Sequence, residues 1–518
     1  MRSTFHGIEL AKRALYAQQT AINTTGHNVS NANTAGYSRQ RVEMVTTPPL
    51  EAIGMTRSTA KGQLGTGVNV NAIVRLRDRF LDLQYRNENR YLGEWTVKEN
   101  TYEKLEVIFN EIKASDDGFG TGLNRVFNDF WNAWQDLSRD PEKLEAKVAV
   151  VHRAVALADT FNSMARQLNT FEADLINNTM KKVDQANSLL SQIAELNQQI
   201  VKIHSMGQNA NDLMDRRDVL VDELSGLISI EVQENELGGY QILLSGTNDG
   251  SGQPIELVSA NGKNVAKFQF EEDTSDPSNP KFIFSVNGTK LYQIFQLGAT
   301  GTSGPGAITS PSGEIFGYLD SIVKVQEYHT KLNSLVTTFV SGQITVDGTN
   351  YNGINGLYSN NSSDPAGWLF VSGNDSDPIT ASNIQLRQDL ISDPENLKTT
   401  NDPAALPGDA DLARQIAQLR NALFEDTDGQ QFTLADYYNS MIGQLGIESQ
   451  EAQRRAENHQ LLVYQTDMLR QSVSGVSLDE EMANLVMFQH SYNAAARSLT
   501  VMDEMLDKLI NGTGIVGR

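Results

Sequence analysis

From Glu142 to Met206 the chain runs for 65 residues without glycine or proline. Those two residues are the strongest helix breakers, so the stretch is helix-compatible throughout. One unbroken helix of this length would reach about 98 Å; two stacked helices fit the pattern as well. Apolar residues recur every seven positions at Leu168, Leu175, Leu189, Leu196 and Ile203, with Lys182 interrupting the series. Ile193 and Ile200 lie on the adjacent stripe. A sustained heptad predicts a seam against other long helices. Helices are also predicted over Asp78–Lys113 and Leu434–Val473, the latter with Gly443 and Gly446 as weak points.

The middle of the chain differs. Ten of the 13 prolines fall between Pro254 and Pro407, and no arginine occurs between Arg217 and Arg387. From Ile228 to about Thr300, short alternating runs such as QILLS and FIFSV are separated by Gly, Asn and Asp, the pattern of strands joined by turns. Asn287-Gly288 predicts a tight hairpin. Gly298–Gly306 reads as a linker, and helix resumes over Gly313–Phe339. A looser Asp/Asn/Pro-rich insertion covers about 340–411, where no strand can be placed. The expected fold class is mainly α with a β-rich insertion. Its layers are nested: a terminal helical domain from 1–60 with 475–518, a long-helix bundle from 61–227 with 306–474, and an outer β-rich domain over 228–305.

Both ends carry amphipathic stripes. Ile8, Leu15, Ile22 and Val29 are seven apart, as are Leu478, Leu485, Tyr492, Leu499 and Leu506. Ser477-Leu-Asp-Glu480 is a capping box that starts the last helix. Isolated helices of this length are marginal in water. These two can pair with each other, dock on the body, or await neighbouring subunits; an ordinary place in a helical core is equally open. The first sixty residues hold six Lys/Arg and three Asp/Glu in a chain of net charge −22. Such asymmetry marks a separate interaction segment.

Catalytic chemistry is poorly represented. The chain has no cysteine, which removes disulfides, thiolate nucleophiles and Cys-ligated metals. Its acidity argues against a nucleic-acid surface. No stretch reaches the roughly 20 apolar residues of a membrane span. Glu9, Lys12 and Arg13 fall where the apolar core of a signal peptide would lie. Seven histidines are scattered without HExxH spacing. Gly62, Gly65 and Gly67 lack the Lys-Ser/Thr of a phosphate loop. Asp116-Asp117 reads as a turn or a solvated cap rather than a metal site. Arg216-Arg-Asp218 reads by default as surface ion pairs, with a buried ion network as the alternative. The expectation is no enzyme, no cofactor and no metal.

After the first helix comes Gly26-His-Asn-Val-Ser-Asn-Ala-Asn-Thr-Ala-Gly-Tyr-Ser-Arg-Gln-Arg-Val42. Asn28, Asn31, Asn33 and Gly36, followed by Tyr37, describe a helix end and a fixed turn into an extended segment. This segment resembles the N-terminal signature of the bacterial flagellar axial proteins, and among them the hook-associated family of the hook–filament junction. Gly65-Thr-Gly-Val-Asn-Val70 with Ile73, Arg75, Asp78 and Phe80 is similar to that family's next segment. So are Asn209-Ala-Asn-Asp-Leu213 with Arg216-Arg-Asp218, and Glu481-Met-Ala-Asn-Leu485 with Gln489, Tyr492 and Ala494–Arg497. Ala35 departs from the pattern, standing where the family usually has proline.

The resemblance implies a structural protein exported unfolded by the flagellar type III apparatus without signal cleavage, to a final place outside the cell. It implies terminal helices that are disordered in the monomer and form an inner tube in the polymer. The stripe residues above would then be the polymer interface. The implied partners are hook protein, hook-associated protein 3, further copies of the chain and a dedicated export chaperone, with no nucleic acid and no membrane insertion. A cytosolic coiled-coil scaffold and another rod or hook component are the alternatives.

Overall fold

The computed structural model describes residues 5–49, 65–109, 122–248, 253–273, 275–276, 280–296, 303–306, 308, 311–362, 364–373, 378–402, 408–425 and 431–512. The helices are α1 (His6–Asn31), α2 (Arg79–Phe109), α3 (Leu123–Arg139), α4 (Leu144–Ser205), α5 (Asn211–Leu227), α6 (Glu314–Ser341), α7 (Gly353–Ser359), α8 (Gln388–Ser392), α9 (Asp411–Gln418), α10 (Leu434–Ser474) and α11 (Leu478–Gly512). The strands are β1 (Gln40–Thr46), β2 (Val68–Arg75), β3 (Ile230–Glu234), β4 (Tyr240–Asn248), β5 (Pro254–Val258), β6 (Phe268–Asp273), β7 (Lys281–Val286), β8 (Thr289–Phe295), β9 (Gly304–Pro305), β10 (Gln343–Val346), β11 (Thr349–Asn352), β12 (Phe370–Ser372), β13 (Ile384–Leu386), β14 (Phe424–Glu425) and β15 (Gln431–Phe432). The chain divides into two compact units. The first is Met1–Arg90, Gln185–Lys267 and His459–Arg518; the second is Tyr91–Asp184 and Phe268–Asn458.

The stretch without glycine or proline forms the single helix α4 of 62 residues, so the stacked-helix alternative falls away. Leu168, Leu175, Leu189, Leu196, Ile193 and Ile200 are all buried. Lys182, where the heptad breaks, pairs with Glu314 at 2.9 Å.

In the first unit α1 and α11 pack together, and the antiparallel ribbon of β1 and β2 lies against α1. Strands β3, β4 and β5 form a three-stranded antiparallel sheet. Leu196, Ile200 and Ala210 gather Ile203, Leu213, Met214 and Leu220 into an apolar cluster that seats α5.

The second unit has an aromatic core. Phe127, Phe130 and Trp131 of α3 meet Phe161 of α4 and Phe339 of α6, and Phe130 also meets Trp134 and Phe370. No sequence signal singles out α3, yet Leu123, Phe127, Phe130, Trp131, Trp134 and Leu137 are all buried. Strands β6, β7, β8 and β9 form a second sheet. The hairpin between β7 and β8 turns at Asn287 (φ 46°) and Gly288 (φ 83°), as its sequence predicts.

Residues 228–305, expected to form one outer domain, make two sheets, and the division between units falls at Lys267/Phe268. Within the expected linker, Gly304 and Pro305 pair with β8, opposite Gln293 and Tyr292; residues 298–302 lie outside the described ones. The insertion over 340–411 holds β10–β13 with α7 and α8. Its first hairpin turns at Asp347 (φ 49°) and Gly348 (φ 79°), an Asp-Gly signal that four-residue strands left inconspicuous. Asp116-Asp117 lies outside the described residues. Among the described residues no helix is long and apolar enough to cross a membrane.

Candidate functional site

Asn28, in the last turn of α1, is 1% exposed and uses its whole amide. Its Oδ1 accepts the Gln40 N–H at 2.9 Å and the Tyr37 hydroxyl at 2.8 Å. Its Nδ2 donates to the Gln40 carbonyl at 2.9 Å and to Glu481 Oε2 at 2.9 Å. The side chain thus mimics a strand residue on the edge of β1. Asn209 and Asn211 donate to the Ile73 carbonyl of β2 at 3.1 and 2.9 Å. Open strand edges invite pairing with other chains, and asparagine amides close this ribbon at its base.

The turn between α1 and β1 is built from successive hydrogen bonds. The Thr34 N–H donates to the Asn31 carbonyl, and the Tyr37 N–H to the Thr34 carbonyl. Asn31 also donates to the His27 carbonyl at 3.0 Å, while Asn33 is exposed. Ala35 and Gly36 are the central residues of the second turn. Gly36 has φ +77°, and a Cβ there would lie 2.0 Å from a Val219 methyl carbon. Burial raises the Tyr37 pKa, and the carboxylates of Asp212, Asp215 and Glu481 add to it, so the phenol remains a donor to Asn28.

Arg39 ties this turn to the C-terminal segment. Its N–H donates to the Ser474 carbonyl at 2.8 Å, and its guanidinium reaches Glu480 at 2.7 Å and Glu481 at 2.8 Å. Glu480 therefore serves Arg39, while Ser477 Oγ accepts from the Glu480 N–H at 3.5 Å. The capping box keeps that long bond and spends its carboxylate on the clasp. A polar cavity of about 630 Å³ opens beside the turn, lined by Ala32–Arg39, Arg77 and the α10–α11 junction.

Behind the turn lies an ion network. Arg75 Nη1 donates to Asp215 and Asp218, each at 2.8 Å. Arg77 grips Asp82 with two bonds of 2.8 and 3.0 Å and reaches Asp218 at 2.8 Å. Arg86 donates to Asp222 at 2.7 Å. Arg470 pairs with Asp222 at 2.8 Å and lies over the Tyr85 ring, 4.3 Å from its centroid. Four guanidinia thus meet four carboxylates. Burial pushes the Asp218 carboxyl up, but Arg77, Arg75, Arg86 and Arg217 together outweigh it and hold it well below the usual range. Ser38 N–H donates to Asp215 at 3.0 Å, and Gln40 donates to Asp212 at 2.8 Å, which joins the network to the turn.

The default surface reading of Arg216-Arg-Asp218 is corrected. Arg216 is exposed, but Asp218 is 1% exposed at the centre of the network. Arg217 is fully buried, with its guanidinium 3.4 Å from the centroid of the Tyr240 ring. Its partners are the Gly238 carbonyl and Asn197. Burial lowers the Arg217 pKa. A signal was present in the sequence: Asp215, Asp218 and Asp222 share one face of α5, an arrangement that is unfavourable without cations. Arg86 and Arg470 carried no signal, because only the fold brings them there.

The terminal stripes find cover inside the chain. Met502 lies against Gly7 and Glu481 against Asn28, so α1 and α11 run antiparallel. Ile8, Leu15, Ile22, Val29, Leu485, Tyr492, Leu499 and Leu506 are half-buried, and Leu478 is exposed. The fully buried positions of α1 are small ones: Ala11, Ala17, Ala21, Thr24, Thr25 and Asn28. On α11 other apolar side chains are bare, among them Met482, Val486 and Met487 near its start and the row Val501, Met505 and Leu509 near its end. Among the described residues no His, Asp or Glu group is placed to hold a metal ion.

Comparison with known proteins accounts for this convergence. Across 100% of its own length and 100% of the relative's, the chain is 35% identical to "Flagellar hook-associated protein 1" of Bacillus subtilis (strain 168). The chain belongs to the flagellar hook-associated protein 1 family. The protein of that name from Escherichia coli (strain K12) is 26% identical over 97% of this chain and 99% of its own. Family models match at residues 102–358 (flagellar hook-associated protein FlgK helical domain), 8–37 (flagella basal body rod protein) and 470–512 (flagellar basal body rod FlgEFG protein C-terminal). The solved flagellar hook junction protein FlgK from Burkholderia pseudomallei aligns over 75% of this chain and 100% of its own, at 16% identity and a TM-score of 0.47. The two rod-type matches hold Asn28 and Glu481, the residues that meet in space.

Proposed function

We propose that the chain is a structural component of the flagellum that joins hook to filament and polymerises through its paired terminal helices. The observation that carries this reading is the antiparallel α1–α11 pair, with a row of apolar side chains bare near the end of α11. Val501, Met505 and Leu509 stand one per turn at 46%, 56% and 52% exposure, with Met482 and Val486 at 53% and 47% nearer the start of α11. A row of this kind on an otherwise acidic chain marks a protein interface. Its occupants are the terminal helices of neighbouring copies, and the half-buried stripes repack as the copies stack. Family membership supports the place of action: the flagellum, outside the cell, after export by the flagellar type III apparatus. Hook protein, hook-associated protein 3 and an export chaperone complete the proposed partners, and the role is mechanical rather than catalytic. The nested layers fit this use, with the terminal segments 1–60 and 475–518 inside and the β-rich residues facing outward.

Deletion of the gene in the native host tests the reading. The expected phenotype is hooks without filaments, with flagellin lost to the medium. A motile deletion strain would overturn it, and a strain without hooks would move the chain to the rod or hook.

A further inference from the structure

The chain has no cysteine and 13 methionines, so the sulfur atoms it offers to an oxidant are all thioethers. Helix α11 holds four of the 13 in its 35 residues: Met482, Met487, Met502 and Met505. Met482, Met487 and Met505 are 53%, 52% and 56% exposed, and Met502 is 38% exposed. Met164 of α4 and Met441 of α10, by contrast, are 5% and 3% exposed. Two of the four belong to the surface on which the proposed junction role rests. Met505 stands between Val501 and Leu509 in the bare row, and Met482 stands one turn before the exposed Val486. A thioether is apolar and adaptable, which suits such surfaces. Its sulfoxide carries a strong acceptor, and a polar group is costly to bury without a donor.

We propose that the four methionines of α11 are an oxidation site that switches assembly off. A two-electron oxidant of the peroxide class reaches them on the free chain. The sulfur lone pair attacks one peroxide oxygen, and the S–O bond forms as the O–O bond breaks. The hydroxyl proton on sulfur passes to the departing hydroxide, which leaves as water. Sulfur is oxidised by two electrons and the peroxide is reduced by two. The modified chain then carries polar tips where its neighbours must seat, whereas a finished junction covers the same sulfurs. The switch is reversible, because methionine sulfoxide reductases restore the thioether. Its effect on assembly rests on the junction reading; the site itself does not.

Hydrogen peroxide added to the full-length chain tests both parts. Peptide mapping follows the sulfoxide at each methionine, and the treated chain is then mixed with hooks isolated from a deletion strain. The α11 methionines are expected to oxidise at least about tenfold faster than Met164 and Met441, following exposure. Hook binding is expected to fall by about tenfold or more as polar tips enter the apolar contact. It should return after treatment with both methionine sulfoxide reductases and dithiothreitol. Replacing all four, Met482→Leu, Met487→Leu, Met502→Leu and Met505→Leu, conserves volume. That variant should keep its binding after peroxide, although Met206, 66% exposed, is still oxidised. Oxidation of Met164 as fast as of Met505 would overturn the site. Three results would overturn the switch: full binding by chains with all four sulfurs oxidised, binding that the reductases fail to restore, or peroxide-sensitive binding in the leucine variant. Untreated wild-type chain that ignores hooks would overturn the junction reading, while the peptide map still decides the site.

Discussion

Asn28 and Glu481 are 453 positions apart in the chain and 2.9 Å apart in space. The amide also holds both backbone groups of Gln40, so one side chain fixes the end of α1, the start of β1 and the start of α11. Asn28→Ala is expected to destabilise the first unit by about 2–3 kcal/mol, since buried polar groups lose their partners. Asn28→Asp is expected to cost more, because it sets a carboxylate against Glu481. Urea unfolding followed by far-ultraviolet circular dichroism measures both.

Arg77 makes a forked pair with Asp82 and a further bond to Asp218. Arg77→Met should lower stability by about 3–5 kcal/mol by leaving buried carboxylates short of a cation. Arg77→Lys restores charge without the fork and should fall between wild type and Arg77→Met in urea midpoint.

The network also sets an acid limit. Folding lowers the Asp218 pKa, so the native state binds fewer protons than the unfolded chain. Its contribution is complete above the ordinary aspartate pKa of about 3.9 and is lost as pH falls through the lower folded value. Urea midpoints measured from pH 6 downward should hold steady above pH about 5 and fall progressively below about 4. In Asp218→Asn, already destabilised at pH 6, the fall should be shallower.

At the turn, Gly36→Ala places a side chain at φ +77° and against Val219. The expected cost is about 1–2 kcal/mol from the left-handed backbone, with the steric part relieved by adding Val219→Ala. Ala35→Pro is expected to stabilise by about 0.5–1 kcal/mol by restricting the unfolded chain. Thermal melts of the four proteins check the order.

Much of the fold was legible because it follows from local pattern. The α4 helix, the Asn287-Gly288 hairpin and the amphipathic ends rest on periodicity and turn chemistry. What escaped depends on distance. The aromatic row of α3 reads as an ordinary amphipathic segment until Phe339 and Phe370 arrive from elsewhere in the chain. Asn28 and Glu481 each sit in a motif, but no local rule pairs residues from opposite ends. By spacing alone, the heptad residues of the two ends fit a polymer seam. In the folded chain they are half-covered by the α1–α11 pair, because small residues such as Ala11, Ala17 and Ala21 let other elements approach α1 closely. Charges at Leu15 or Leu499 would therefore disturb folding and assembly together. The bare row on α11 separates the two.

The decisive measurement replaces the native copy in its host with the Val501→Asp, Met505→Asp double variant. Both positions are about half exposed, so circular dichroism and melting of the purified chain should match wild type within about 0.5 kcal/mol. Electron microscopy of the cells is then expected to show hooks without filaments. Cells carrying normal attached filaments at wild-type frequency, with the double variant present at wild-type level, would contradict the account.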